Sequence, residues 1–159
     1  MSKFVEPVIN KMKSLLDSNL AGKLNAIDAA EDDGIVLEDV VKVWKGGMPQ
    51  TFELPAIVIW PVETSGGSDF TNVTYEYAHE IIIWVVLKGD APEETHIRLW
   101  RTMQGIFDVI KADDNLGGTV DICEFKGFRY DTPWAFTDDD MLLGIGGVVF
   151  GINHEEQAE

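Results

Sequence analysis

Cysteine is nearly absent. Cys123 stands alone, so no disulfide can form within the chain and a reducing cytoplasm is the default compartment. It lies in the strand-like stretch Asp121-Ile122-Cys123-Glu124-Phe125 with no evident positive charge nearby to lower its pKa, and reads as a small strand residue, not a catalytic thiol. Histidine is scarce too. His79, His96 and His154 fall in three separate predicted elements without metal-ligand spacing, and no cysteine pair assists them. No apolar run reaches membrane-spanning length, and the stretch from Met1 to Pro7 carries no apolar signal core, so no membrane partner is expected.

Basic residues are also few. Lysine and arginine total 12 against 28 acidic residues, a formal charge of −16. Such a surface repels phosphate backbones, which disfavours nucleic-acid affinity through counterion release. Acidity also favours solubility and suits a salty habitat, and it would suit a protein that lets DNA slide past without sticking. With 159 residues, 45% hydrophobic and 25% charged, the chain has the composition of an ordinary globular protein and the length of one domain, 1–159.

What is present is a succession of patterned segments in the order α-β-β-α-β-β. Phe4, Val8, Ile9, Met12, Leu15, Leu16 and Leu20 recur at three- and four-residue spacing, the stripe of an amphipathic helix with Pro7 in its first turn. Gly22 breaks it, and Leu24 to Ala30 extends it as a second short helix before the exposed turn Glu31-Asp32-Asp33-Gly34. The segment 35–50 is either a short strand around Val40 to Trp44 or an irregular packed stretch. Leu54 to Pro61 is a clearer strand with prolines at its ends. Thr64 to Asn72 is polar and glycine-rich, a long hairpin loop or arm before the main strand.

That main strand, His79 to Leu87, is apolar on both alternating sets of positions and therefore needs a partner for each face. A second helix follows, with Asp90 as N-cap, Pro92 in the first turn and a stripe of Ile97, Trp100, Met103, Phe107 and Ile110 widened by Leu99 and Ile106. After Gly117-Gly118 a strand from Thr119 to Phe125 pairs onward through Gly127 to Tyr130. Asp131-Thr132-Pro133 and Asp138-Asp139-Asp140 are turn chemistry. The last strand, Leu142 to Ile152, contains Gly144, Gly146, Gly147 and Gly151, which points to a bulge or to another backbone packed close. Residues 154–159 form a frayed acidic tail.

Chemistry-bearing motifs are missing. His79 beside Glu80 reads as a surface or edge residue, not a general base. Gly117-Gly118 lacks the lysine and hydroxyl residue of a phosphate loop, and Gly144-Ile145-Gly146-Gly147 lacks dinucleotide spacing. There is no Gly-x-Ser-x-Gly elbow. The clusters 31–33 and 138–140 lack the spaced ligands of a calcium loop and read as solvated turns. Asn72-Val73-Thr74 matches a glycosylation acceptor, a match without weight absent secretion. The expectation is a protein that is not an enzyme, with no cofactor and no metal.

Assembly is what remains. The five tryptophans, Trp44, Trp60, Trp84, Trp100 and Trp134, lie on or near predicted strands and the second helix, and such residues fill cores or subunit contacts. Trp100, on the helix stripe, is assigned to the core. Tyr77, Ile81, Ile83, Val85 and Leu87 should meet the helices. Ile82, Trp84 and Val86, with Glu80 and Lys88 at the ends of that set, form the candidate intersubunit face. Trp60 joins them, and the arm residues Ser65, Gly66, Gly67, Asp69 and Phe70 are candidates to reach a neighbour.

The order of an amphipathic helix, Leu54-Pro55-Ala56-Ile57-Val58-Ile59, a long loop, a Tyr-x-x-x-x-Ile-x-Ile strand, a helix with Leu99-Trp100-Arg101, and Leu116-Gly117-Gly118-Thr119-Val120 resembles the tail-terminator, neck and tail-completion proteins of long-tailed bacteriophages. The resemblance covers residues 4 to 152. The turn at 138–140 and the length of the 35–50 segment are not part of that pattern. The resemblance implies a small α+β subunit, an antiparallel sheet packed against two main helices, assembled as a hexameric ring. Such a homo-oligomer caps the tail tube or joins it to the head connector, DNA passes through its lumen without specific binding, and it resides in the virion after assembly in the host cytoplasm. A different class remains open: an acidic adaptor or immunity-type module that captures a basic protein or mimics DNA. A DNA mimic would concentrate its acids on one surface, whereas here they gather in turns and at element ends.

Overall fold

The computed structural model describes residues 5–47, 53–71, 74–131, 135–136 and 142–157. The expected turns at 132–133 and 138–140, the acceptor asparagine at 72 and the tryptophan at 134 lie outside these residues. The first helix, α1 (Glu6–Glu31), buries Val8, Ile9, Met12, Leu16, Leu20 and Leu24. It is one helix, not two. Gly22 has open space where a side chain would stand, so it weakens the helix by about 1 kcal/mol without breaking it, while Leu20 and Leu24 carry the buried stripe past it. The helix ends at Asp32 in the left-handed region, within the expected turn.

The strands are β1 (Lys42–Lys45), β2 (Ala56–Thr71), β3 (Thr74–Gly89), β4 (Ile122–Tyr130), β5 (Ala135–Phe136) and β6 (Leu142–Gln157), with the second helix, α2 (Pro92–Lys111), between β3 and β4. The sheet order is β1-β2-β3-β6-β4, and the two-residue β5 pairs with the start of β6. The α+β class is the expected one. Every pairing is antiparallel except β1 with β2, where the undecided 35–50 segment contributes a four-residue parallel strand. The expected strand at Thr119 begins only at Ile122, because residues 112–121 wind into turns with Leu116, Gly117 and Gly118 at positive φ.

Both helices pack on one face of the sheet. The core joins Met12, Leu16, Leu20 and Leu24 of α1 and Leu99, Met103, Ile106 and Ile110 of α2 to Ile57, Ile59, Ile81, Ile83, Val85, Leu87, Val148, Phe150 and Ile152. The two helices meet at Gly105, where a Cβ would come within 2.8 Å of the Leu24 side chain. The core stripe of α2 runs through Leu99, Met103, Ile106 and Ile110, so Trp100, one position round the helix, is 53% exposed. Its assignment to the core is corrected accordingly. The N-cap is Ala91 rather than Asp90, since Pro92 occupies the opening helical position.

The glycines of β6 leave no bulge in its pairing with β3, while β4 shifts register against β6 between Phe125 and Gly127, and Lys126 of that irregularity lies over Gly151. β3 and β6 pair over sixteen consecutive positions without a register shift. Each glycine instead leaves room for a neighbouring side chain: Leu87 and Thr95 at Gly144, Met103 at Gly146, Ile82 and Trp84 at Gly147, Lys126 at Gly151. The strand also continues past the expected fray point, with His154 paired to Tyr77 and Gln157 to Thr74. The expected hairpin loop is likewise strand. β2 and β3 pair as far as Thr71 and Thr74, through register shifts at 61–63, 66–68 and 69–71. The result is a three-stranded arm running beyond the helix-covered part of the sheet.

One ion pair closes α2 against the end of α1. The Arg101 guanidinium donates to both Asp33 oxygens, at 3.0 and 2.5 Å, and lies 3.5 Å from Glu31. The hydrogen bonds from Arg101, then the Ile35 N–H, hold the Asp33 carboxyl at about 2, below its ordinary 3.8.

Two outcomes follow from these contacts. Ile83 is fully buried in the core, so Ile83→Ala should lower unfolding free energy in urea by about 2–5 kcal/mol. A depressed carboxyl pKa gives stability that is fully present above the unfolded value near 3.8 and is lost as pH falls through about 2. Asp33→Asn should therefore melt below wild type at pH 6, with the gap closing towards pH 2. A gap that stays constant across that range would contradict the pairing.

Candidate assembly surface

Turning from the helix-covered face to the opposite one, the cross-strand register places side chains row by row. Trp44 neighbours Val58, which pairs with Trp84, which pairs with Gly147. The adjacent row runs Trp60, Ile82, Val149 and Gly127. A third contains Ala56, Val86 and Ile145. None of these joins the core cluster, and no described helix or strand packs over them.

Exposure differs sharply within this face. Ile82 is 2% exposed and Val86 8%, and Ile82 and Trp84 both lie over Gly147. Trp60 is 47% exposed and Val62 50%, while Trp84 and Trp44 are half-buried. Val58, Trp60, Trp84, Val86 and Ile145, with Gly46 and Gly47, line a shallow concavity of about 300 Å³. An exposed indole beside an open apolar depression is the arrangement that protein contacts use.

Charges frame the depression. Lys42 Nζ lies 4.0 Å over the Trp44 ring, a cation–π contact. Arg129 approaches Glu80 at 3.9 Å. Lys126 donates to Glu124 at 2.9 Å and holds that carboxyl below its usual range. By alternation Lys88 belongs to the same face. Lys42, Lys88, Lys126 and Arg129 thus share this face with Glu80, Glu124 and Glu63, the cross-strand partner of Glu80, so charges of both signs are mixed across it in a chain whose total is −16.

The candidate residues therefore separate into three sets. Trp60 and Trp84 are available to a partner. Ile82 and Val86 form the floor between them. Ser65, Gly66, Gly67, Asp69 and Phe70 lie elsewhere, along β2 in the arm, where Ser65 is exposed and pairs with Ala78, Gly66 pairs with Tyr77 and Asp69 with Tyr75; for 66–70 the backbone pairing alone is described. The charged residues of this face escaped the sequence reading, which had no means of bringing Lys42, Lys126 and Arg129 from two separate strands onto one face.

The other titratable candidates take structural positions. His79 is not a surface or edge residue: it is 2% exposed on the central strand, with Nδ1 at 2.9 Å from the Thr64 hydroxyl. His96 stacks on Trp100, ring centroids 6.3 Å apart, in a depression of about 230 Å³ with Tyr130 and Leu143. Among the described residues no group of three or more His, Cys, Asp and Glu is placed to hold a metal ion, and no helix is long and apolar enough to cross a membrane.

No protein-family model and no curated protein matches the chain. Among solved structures, a chain of the virion of a native gene transfer agent particle aligns with a TM-score of 0.49 and 16% identity, over 89% of this chain and 95% of that one.

Cys123 is fully buried, and burial pushes its thiol up to about 12. It should resist a thiol-specific reagent at pH 8 in the folded protein and react fully once the chain is unfolded in guanidinium. Rapid labelling of the native state would contradict that placement.

Proposed function

We propose that the chain is a structural subunit of a tailed-bacteriophage virion, forming a ring that terminates the tail tube or joins the tail to the head connector. The carrying observation is the sheet face opposite the helices, with Trp60 exposed and Trp84 half-buried over an open apolar depression. A monomer gains nothing from leaving that face wet, whereas a neighbouring subunit would remove it from water. The resemblance of the residue pattern to tail-terminator and neck proteins supplies the kind of assembly, a hexamer.

Charge fits the same reading. Six copies at −16 each would carry −96, and a lumen of that sign disfavours adhesion of DNA phosphates passing through it. On this reading the protein is non-enzymatic and its partners are its own copies, the tube protein and the connector. The adaptor or DNA-mimic alternative draws less support. The described acids are spread over the end of α1, the start of α2, the 113–121 turns and the strands, and the apolar face mixes acidic with basic side chains.

The test is mass in solution by light scattering, with negative-stain images, over a range of protein and salt concentrations and on isolated tail tubes. Trp60→Asp and Trp84→Glu should each abolish ring formation. Trp60→Asp should retain the native circular dichroism spectrum and lose no more than about 1 kcal/mol of stability, the scale of one cross-strand pair. Rings that persist in Trp60→Asp, or unfolding of the monomer by that exposed substitution, would overturn the assignment of this face.

A further inference from the structure

β4 is the terminal strand of the sheet, and no described strand pairs with its outer edge. At its start the Cys123 N–H donates to the Asp114 carbonyl at 2.7 Å, so the backbone groups of residue 123 point away from β6. After its end the Asp131 N–H donates to Ile145 of β6 at 3.0 Å, so those of residue 131 point inward. Groups alternate along an antiparallel ladder, and the register shift between Phe125 and Gly127 absorbs the odd residue. The N–H and C=O of both Phe125 and Phe128 are thereby turned outward. Their side chains are also incompletely covered. Both are half-buried, with ring centroids 5.0 Å apart and Phe107 4.8 Å from Phe125. We infer that a second copy covers this edge, its β4 running antiparallel to the first about a twofold axis normal to the sheet, with Phe125 of each copy opposite Phe128 of the other.

The bulge makes this edge self-complementary. Phe125 and Phe128 pair with Phe150 and Val148 and share their helix-covered face, whereas Glu124, Gly127 and Arg129 pair with Gly151, Val149 and Gly147 on the opposite one. Lys126, lying over Gly151, belongs to that opposite face too. A twofold axis normal to the sheet keeps each face on its own side, so residues that meet must share a face. From 124 to 129 the faces read the same in both directions, and only pairing about the junction of 126 and 127 matches every position. At that register Phe125 meets Phe128, both turned outward as a hydrogen-bonded pair requires. Lys126 meets Gly127, which has open space in place of a side chain, and Glu124 meets Arg129. These two charges have neighbours of their own, Lys126 at 2.9 Å and Glu80 at 3.9 Å, so they only bias the register. The backbone ladder and the phenylalanines carry the contact, as when an extended segment adds to an exposed sheet edge. It uses neither Trp60 nor Trp84 and is independent of the ring: both copies keep that face open, on one side of the doubled sheet.

Cysteine cross-linking reads the register. Glu124→Cys and Arg129→Cys, each checked for fold by circular dichroism, are mixed and oxidised by air with copper phenanthroline. The mixture should yield a covalent dimer, because the two positions face each other as a non-hydrogen-bonded pair, whose spacing suits a disulfide. Either variant alone should yield several-fold less, since like positions lie far apart along the paired strands and the native Cys123 is fully buried. Hydrogen exchange in the unmodified chain supplies a readout free of substitutions. Between about 0.02 and 1 mM protein the Phe125 and Phe128 amides should slow about fivefold, while the Cys123 amide, already bonded to Asp114, should not change. Trp60→Asp should leave the exchange result as it is. A mixture that gives no more covalent dimer than the single variants overturns the register. Phe125 and Phe128 amides that exchange independently of concentration overturn the edge contact itself. Concentration-dependent protection that vanishes in a folded Trp60→Asp chain also overturns it, by assigning the association to the other face.

Discussion

The architecture depends on β3 lying at the centre of the sheet. Hydrogen-bonded along its length to β2 on one side and β6 on the other, it must present one set of side chains upward and the other downward. Among the described residues, the helices cover one of them. Both helices are committed to the face carrying Ile81, Ile83, Val85 and Leu87, and they are locked together by Leu24 against Gly105 and by Arg101 on Asp33. Two helices of 26 and 20 residues suffice for one face of five strands, not for two. Ile82, Trp84 and Val86 are thereby left to whatever the sheet can do for itself.

The sheet does more than its sequence suggests. Glycines in β6 would weaken an isolated strand, yet here they let side chains from adjacent strands lie flat across it. Gly147 accepts Ile82 and Trp84 on one face, while Gly146 accepts Met103 on the other. Ile82 thus becomes nearly as buried as a core residue with no second layer among the described helices and strands, and the apolar exposure concentrates at Trp60 and at the half-buried Trp84. A uniformly greasy face would risk indiscriminate aggregation. One with its aliphatic residues sunk between glycines, and its indoles confined to one shallow depression, limits contact to a partner of matching shape.

Much of this was legible in the residues. The period of α1, the location of α2 and the two-sided strand follow from spacing alone, and so does the division of β3 into a helix-facing set and an opposite set. Other features were hidden for physical reasons. Gly22 counts as a breaker only where nothing holds the helix on both sides, and burial of Leu20 and Leu24 is a tertiary fact. Trp100 lies close enough to the stripe centre to look internal, but the width of the buried arc is set by how α1 and β6 approach α2. The arm was invisible as strand because Ser65-Gly66-Gly67-Ser68 and His154-Glu155-Glu156-Gln157 each have poor strand propensity. They become strands by pairing with Thr74 to Ala78, which lies between them in the sheet. The charged groups of that face were equally hidden as a set, since they come together only once β1, β3 and β4 share a plane.

The basic residues of that face bear on how so acidic a chain would assemble under the proposed function. Uniform charge of −16 per copy would oppose any close packing of copies, the more so at low salt. Mixed charge changes the balance. Four of the chain's 12 basic residues share the face of the apolar depression with acids, so on the proposed reading that face would repel another copy less than the rest of the surface does. The energy of such a contact would come mainly from desolvating indole and aliphatic surface, with electrostatics selecting its orientation. Most of the acids would then lie on parts of the subunit outside the contact. In a closed assembly those parts include whatever lines the opening, and there an excess of negative charge is compatible with a polyanion moving through without being held.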